Sequence, residues 1–207
     1  LDSIYNQQNY AYELRKKGYK TGFFGKLGIK NNGGLTESFS EHEVYDRNNH
    51  FKDQRGYYYK TIGKDTVHLT RYTGQKALSF IENTEKDQPF CLSISFSAPH
   101  AHDGAWEGIQ KQYFWQEEVD NYYKGIEIPA PKNASDEQFN ALPKEVREGF
   151  NRTRWYWRYD TPERYQESLK GYYRMIGGVD NELGKIRGLL KAKGIENNTI
   201  IIWMGDN

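Results

Sequence analysis

PFCLSISFSAPHAHD, residues 89–103, is the stretch that decides the predicted fold. The apolar and small residues at 90–96 are typical of a strand buried on both faces of a parallel sheet, because helices cover both sides of such a sheet. Pro99 ends the strand, since it has no N–H to donate to a neighbour. The strand is therefore predicted to be central and to deliver His100 and His102 to the sheet's carboxyl edge, where open α/β sheets bind ligands. Two surface loop histidines are the alternative.

The composition of the chain narrows the classes of partner. Its 207 residues are enough for one domain or a large part of one. Lys+Arg 29 against Asp+Glu 28 gives a net charge of +1, which argues against nucleic acid as a partner. The single cysteine, Cys91, excludes an internal disulfide. No apolar stretch approaches the ~20 residues that span a bilayer.

The first half of the chain predicts a helix, a strand and a long loop before the central strand. A helix at 3–17 ends at Gly18, and a strand at 19–23 follows it and leads into Lys26. Residues 27–64 have no sustained period and are predicted to form a long loop with a small hairpin. Loops of this length usually carry function, so this loop is a candidate wall of a binding site. A second helix is predicted from Asp65 or Thr66 to about Thr84.

The second half predicts an irregular region, one long helix and a last strand. Short helices are expected at 135–139 and 143–150 within an irregular region that extends to Asp160. Thr161, followed by proline and glutamate, starts a helix to about Lys193, with a bend or a close helix-to-sheet contact at the Gly177–Gly178 pair. Its predicted apolar stripe consists of Tyr165, Leu169, Tyr172, Ile176, Val179, Leu183, Ile186 and Leu190.

This order of elements predicts an α/β fold with a mainly parallel sheet flanked by helices. A last apolar strand is expected at 199–204, and it ends in Asp206 and Asn207. The predicted strands thus end in a lysine, two histidines and two oxygen-bearing side chains. A cation, imidazoles and oxygen ligands at one sheet edge suit an anion held beside a hard metal ion.

Several motifs resemble those of the type I sulfatases, in the order found in that family. Residues 18–26, GYKTGFFGK, resemble the family's GYxTxxxGK signature, and residues 89–100 resemble its PFFLYLSFxAPH strand. Phe39 and the Gln54–Tyr59 segment match its variable loop, and residues 173–207 match its helix, strand and Asp-Asn segment. The resemblance implies an alkaline phosphatase-like α/β fold. It also implies hydrolysis of sulfate esters by a formylglycine beside a calcium ion.

The resemblance assigns roles to individual residues. Lys26 would bind a sulfate oxygen, and His100 would contact the sulfate or the leaving oxygen. Apart from the resemblance, Arg55 and His102 are further candidates for binding substrate. Asp206 and Asn207 would ligate Ca²⁺. These types suit the chemistry, because cations and Ca²⁺ stabilise the negative charge that develops on oxygen in sulfuryl transfer.

Two positions depart from the family pattern. Many members have histidine where this chain has Gly28, so that contact is absent or supplied elsewhere. The family often has proline where this chain has His102, which could compensate for the missing histidine or face solvent.

No [CS]-x-P-x-R motif, which would supply the formylglycine, occurs in this chain. We therefore expect residues 1–207 to be part of a sulfatase catalytic domain. The strand carrying the nucleophile and the C-terminal part would lie outside this chain, so the chain alone would be inactive. The resemblance further suggests a periplasmic or secreted enzyme that acts on a sulfated small molecule or glycan. A phosphate or phosphonate ester hydrolase and a catalytically dead carbohydrate-binding homologue are the alternatives.

Overall fold

The computed structural model describes residues 9–28, 34–45, 58–103 and 111–205. The chain divides into two compact units. The first unit consists of residues 1–47, 69–97 and 179–207, and the second consists of residues 48–68 and 98–178. The described helices and strands are, in chain order, α1 (Tyr10–Lys16), β1 (Lys20–Gly25), α2 (Leu35–Ser38), β2 (Glu41–Val44), β3 (Tyr59–Ile62), β4 (Asp65–His68), α3 (Leu69–Glu82), β5 (Phe90–Ser95), α4 (Asp136–Asn140), α5 (Lys144–Arg147), α6 (Phe150–Tyr159) and α7 (Pro162–Ala192).

The sheet of the first unit is parallel, as predicted, but its strand order differs from the expectation. The order is β2-β1-β5, and the ends of β1 and β5 are in register, with Gly25 opposite Ser95. Among the described strands β1 is therefore central, and the prediction that β5 is central and buried on both faces is wrong. All six residues of β5 are only half-buried, because no described strand pairs with its other edge.

Two small residues let β1 lie close to its neighbours. A Cβ at Gly22 would lie 2.7 Å from the Phe80 ring of α3 and 2.9 Å from Leu92 of β5, so glycine allows the helix to pack on the sheet. Thr21 is fully buried, and its hydroxyl donates to the Ser38 carbonyl at 2.8 Å and accepts from the Ser40 amide at 3.1 Å. Thr21 of the signature and Gly22, at a variable position within it, thus have packing roles.

Helix α3 and the C-terminal part of α7 supply the rest of the first unit's core. The buried cluster consists of Phe24, Ala77, Phe80, Ile81, Ile186 and Leu190. Glu182 of α7 is 1% exposed, and one of its carboxylate oxygens accepts from Lys185 at 2.7 Å. A Cβ at Gly74 of α3 would lie 2.8 Å from the carboxyl carbon of Glu182. The missing side chain at position 74 therefore makes room for a buried carboxylate.

A hairpin of the second unit corrects the predicted start of α3. Strands β3 and β4 are antiparallel, with Ile62 opposite Asp65, and this confirms the small hairpin expected in the long loop. The helix start predicted at Asp65 or Thr66 is wrong, because residues 65–68 pair with β3 and α3 begins at Leu69. Asp65 and Thr66 are residue types that can cap a helix, but here they pair with β3 instead. Gly63, with φ 63°, allows the tight turn of the hairpin.

Helix α7 confirms the prediction of one long helix, although its buried face differs from the predicted apolar stripe. It is continuous over 31 residues, including the glycine pair. Gly178 packs against the Gln116 side chain, and a Cβ at Gly177 would lie 2.8 Å from the Tyr122 ring, so the predicted close contact is with residues 111–125 instead of the sheet. Ile176 is 37% exposed, since small residues and Met175 occupy the buried positions around it.

Two further predictions are wrong. Residues 150–159 form α6 instead of irregular chain, although α4 and α5 match the two expected short helices. Residues 199–204 form no strand, and their apolar side chains are exposed, with Ile200 at 88% and Trp203 at 66%. A strand needs a partner for its backbone groups, and no described strand pairs with this segment. None of the described helices has the length and apolar character needed to cross a bilayer.

Candidate active site

Lys26 lies directly after β1, at the carboxyl edge of the first unit's sheet, as predicted. Its backbone amide donates to the Ser95 carbonyl at 2.9 Å, which extends the pairing with β5 by one residue. Gly25 has φ 130°, and a Cβ there would lie 2.6 Å from the carbonyl carbon of Ser95. Only glycine fits this close approach, so the strand end is fixed and presents Lys26 as a half-buried cation.

His100 lies in the second unit, five residues after the end of β5, in a segment without regular secondary structure. Its ring Nδ1 lies 2.5 Å from the carbonyl oxygen of Ala101. A carbonyl oxygen can only accept, so Nδ1 carries a hydrogen, and Nε2 is the nitrogen that can gain or release a proton. The side chain is 42% exposed, which leaves it accessible to a ligand.

Asp103 and two arginines of α6 lie next to His100. The Oδ2 atom of Asp103 is 3.9 Å from Nε2 of His100 and 3.3 Å from the Arg154 guanidinium, and Oδ1 pairs with Arg158. The side chains of Asp103 and Arg158 are 15% and 14% exposed, so this ion pair is largely shielded from water. The second unit therefore places one carboxylate beside the candidate catalytic histidine, and two guanidinium groups pair with that carboxylate.

Buried side chains support the backbone around His100. The Tyr58 hydroxyl donates to the His100 carbonyl at 2.5 Å, and Tyr58 itself is 1% exposed. The His102 amide donates to the Gln112 carbonyl at 2.7 Å, and the ring of His102 lies 5.8 Å from that of Phe114. His102 is 5% exposed, so it is a packed residue in this structure, and its role in substrate binding stays a prediction.

The other predicted site residues lie outside the described part of the chain. Arg55 and the two expected calcium ligands, Asp206 and Asn207, belong to this group. Within the described ranges, no three His, Cys, Asp or Glu residues are grouped so that they could hold a metal ion. The described residues therefore contain no such cluster of acidic side chains that could surround Ca²⁺.

The residues that sequence reasoning missed are those that support His100. Tyr58, Asp103, Arg154 and Arg158 come from three separate parts of the sequence, and only Tyr58 lies in a stretch that resembles the family, its variable loop. One signal was present: Arg154 and Arg158 are four residues apart, which places both on one face of a helix. That signal can be read only when residues 150–159 are recognised as a helix.

The comparisons with known proteins agree on one family. The Sulfatase family model matches residues 3–207. An N-acetylglucosamine-6-O-sulfatase of Bacteroides thetaiotaomicron is 21% identical over a 254-residue alignment, which covers 97% of this chain and 44% of that protein. A solved structure of BT4656 in complex with its substrate D-glucosamine-2-N,6-O-disulfate matches with a TM-score of 0.58 and 17% identity, covering 93% of this chain and 48% of the other.

These matches settle the family and the fold. The chain spans about half the length of the relatives that it matches. At 17% identity the solved structure shows a shared fold, which confirms the predicted α/β class with a parallel sheet. Because the family model covers almost all of the chain, the chain belongs to the sulfatase family.

Proposed function

We propose that this chain is part of an enzyme that hydrolyses sulfate esters of carbohydrates. The observation that carries the proposal is the family match over residues 3–207, which includes both the strand end with Lys26 and the segment with His100. The chain covers less than half of its curated relative, so the proposal concerns the whole protein.

Lys26 and His100 have separate roles in the proposed reaction. Lys26 binds a non-bridging sulfate oxygen, because a half-buried ammonium attracts the sulfate and stabilises the negative charge that grows in the transition state. His100 gives a proton from Nε2 to the bridging oxygen as the S–O bond breaks. The hydrogen on Nδ1 is directed to the Ala101 carbonyl, so Nε2 is the available nitrogen.

Except for His102, the other proposed site residues lie outside the described ranges. Arg55 and His102 are proposed substrate-binding residues, and Asp206 with Asn207 would contribute two oxygen ligands to Ca²⁺. Two ligands are fewer than the six to eight oxygens that Ca²⁺ takes, so additional ligands must come from elsewhere. The nucleophile, a formylglycine by resemblance, is proposed to lie outside this chain.

Two relatives guide the choice of substrate. One is named as an N-acetylglucosamine-6-O-sulfatase, and the other was solved with a glucosamine carrying sulfate at N2 and O6. We propose a sulfate ester on an amino sugar as the first substrate class to test. The primary alcohol of such a sugar is a poor leaving group, so its departure requires a proton donor such as His100.

The test uses the whole protein, purified after expression with the enzyme that generates formylglycine. N-acetylglucosamine 6-sulfate and the 2-N,6-O-disulfate of glucosamine are offered, and free sulfate is measured by ion chromatography. N-acetylglucosamine 6-phosphate and a phosphonate ester are the matched controls.

Sulfate release at enzyme-like rates supports the proposal. Preferential hydrolysis of the phosphorus esters would favour the alternative hydrolase. Binding of the sulfated sugar without turnover would favour a catalytically dead carbohydrate-binding homologue.

A further inference from the structure

We propose that Asp103, held by Arg154 and Arg158, is a positioning residue that keeps a proton on Nε2 of His100 available to the leaving oxygen. This inference rests on the proposed function and adds three residues to it. All three belong to the second unit, as His100 does. None of the three lies in a stretch that resembles a sulfatase signature.

The distance between Asp103 and His100 carries the first step of the argument. Oδ2 of Asp103 lies 3.9 Å from Nε2, beyond hydrogen-bonding range. A carboxylate at this distance attracts a positively charged imidazole without accepting the hydrogen on Nε2. That hydrogen therefore stays available for an oxygen of the substrate, whereas a shorter contact would direct it to the carboxylate.

The two arginines explain why the carboxylate does not move closer. Oδ1 of Asp103 pairs with Arg158 and Oδ2 lies 3.3 Å from Arg154, so each carboxylate oxygen has its own guanidinium partner. The arginines are one helical turn apart on α6, which gives them one fixed spacing. Asp103 also has φ 58°, a conformation that non-glycine residues adopt rarely and that the surrounding contacts must hold.

The charge of this group also suits a sulfate ester. Two guanidinium cations and one carboxylate leave one positive charge beside His100. The Arg158 side chain is 14% exposed, so water screens its charge only partly. An anionic substrate is attracted to such a surface, while the carboxylate offsets part of the repulsion between the two arginines and a protonated imidazole.

The proton transfer conserves atoms and charge. The bond between sulfur and the bridging oxygen breaks, and its electron pair stays on that oxygen. The oxygen takes the proton from Nε2 and leaves as an alcohol, and the imidazole becomes neutral. Sulfur forms its new bond to the deprotonated oxygen of the nucleophile that the proposed function places outside this chain, so no second proton is released in this step. Asp103 exchanges no proton, and its effect is to hold the charged imidazole in place until the transfer.

The test compares Asp103→Asn with the unchanged whole protein on two substrates. On N-acetylglucosamine 6-sulfate we expect kcat to fall about 10- to 100-fold with KM within about 3-fold, since a misplaced general acid slows the chemical step. On 4-nitrophenyl sulfate, whose leaving group departs without protonation, we expect less than about a 3-fold loss. Equal losses on both esters, or an unchanged kcat on the sugar, would overturn the inference.

The matched control is Asp160→Asn, which removes a carboxylate that pairs with Arg164 at 2.7 Å in the same unit. It should leave kcat on both substrates unchanged. If Asp103→Asn yields no folded protein, Arg158→Lys replaces it, because lysine keeps the charge but loses the planar fork. The same selective fall in kcat, about 3- to 10-fold, is then expected, and a uniform loss overturns the inference. If the whole protein does not use the aryl ester, the division between kcat and KM on the sugar decides alone.

Failure of this inference and failure of the proposed function give different results. A whole protein that releases no sulfate from any ester contradicts the function. An active protein whose Asp103→Asn variant behaves like Asp160→Asn contradicts only the role of Asp103. Asp103→Glu adds a last comparison, because recovery of at least half of the lost kcat would show that the carboxylate matters and not the shape of asparagine.

Discussion

Lys26 follows a strand whose backbone pairs with both neighbours, whereas His100 lies in an irregular segment that side chains hold in place. The position of Lys26 depends on β1, on the amide bond to Ser95 and on the close approach at Gly25. The position of His100 depends on Tyr58 and on the residues that contact Asp103. The first arrangement depends on backbone pairing within a parallel sheet, and the second depends on side-chain contacts.

This difference predicts how each region responds to substitution. Backbone pairing tolerates a change at the exposed end of a side chain, but it does not tolerate a new Cβ where two strands meet. A segment held by side chains is sensitive to changes in those side chains. The loss of one hydroxyl or carboxylate shifts the segment without unfolding a sheet. Near His100, substitutions should therefore lower activity with little loss of stability, whereas a new Cβ at the end of β1 should lower stability.

The largest effect is expected from truncating the two candidate catalytic side chains. Lys26→Ala in the whole protein should lower kcat/KM about 100- to 1000-fold on every sulfate ester, because it removes a charge that stabilises the transition state. His100→Ala should cause a loss of about the same size only on sugar sulfates, which need a proton donor. Steady-state kinetics on a sugar sulfate and an aryl sulfate measure both effects. Retained kcat/KM in both variants would remove these residues from the site.

The second effect concerns stability at the end of β1. Gly25→Ala should lower the free energy of unfolding by about 3 kcal/mol or more, because its Cβ would overlap the Ser95 carbonyl. Gly63→Ala is the control, since Gly63 also has positive φ but no atom lies within 4 Å of a Cβ there. It should cost about 1 kcal/mol. Thermal unfolding of the whole protein measures both, and equal shifts in Tm would contradict the importance of the close approach.

The smallest effect is expected from Tyr58→Phe, which removes the hydroxyl that donates to the His100 carbonyl at 2.5 Å. One lost hydrogen bond is worth about 1 kcal/mol, so kcat on a sugar sulfate should fall about 3- to 10-fold. Tyr113→Phe is the control, because Tyr113 is also a buried tyrosine of the second unit and its hydroxyl faces Tyr159 at 3.3 Å. If the two variants have similar Tm values and only Tyr58→Phe has a lower kcat, the Tyr58 hydroxyl supports the position of His100. Equal kcat values would contradict that role.

The sequence allowed prediction of the elements whose signals are local. Strands β1 and β5 were predicted from short β-prone or apolar runs, and α7 from its capping residues and from apolar residues spaced three and four apart. Strand β2, with the sequence EHEV, was missed because its polar residues give little sign that it pairs with β1. The apolar run at 199–204 shows the converse, since hydrophobic composition does not form a strand without a partner.

The same division applies to the candidate site, where residues with local signals could be predicted and residues joined by long-range contacts could not. Lys26 and His100 follow predicted strands and lie in stretches that resemble family signatures, so sequence was sufficient to select them. Asp103 was not selected, because its importance comes from pairing with two arginines that are more than 50 residues away in sequence. Long-range ion pairs leave no periodic pattern along the chain, so only the folded structure brings them together.

The pair formed by Gly74 and Glu182 has a consequence for how sequences of this family can change. The carboxyl carbon of Glu182 lies where it would be 2.8 Å from any Cβ at position 74. A mutation of Gly74 to alanine alone would force the carboxylate out of its buried place, whereas a shorter residue at position 182 would first make room. Evolution can therefore reach alanine at position 74 most easily through an earlier change at position 182. Related proteins should show the two positions varying together, with the long acidic side chain present only opposite glycine.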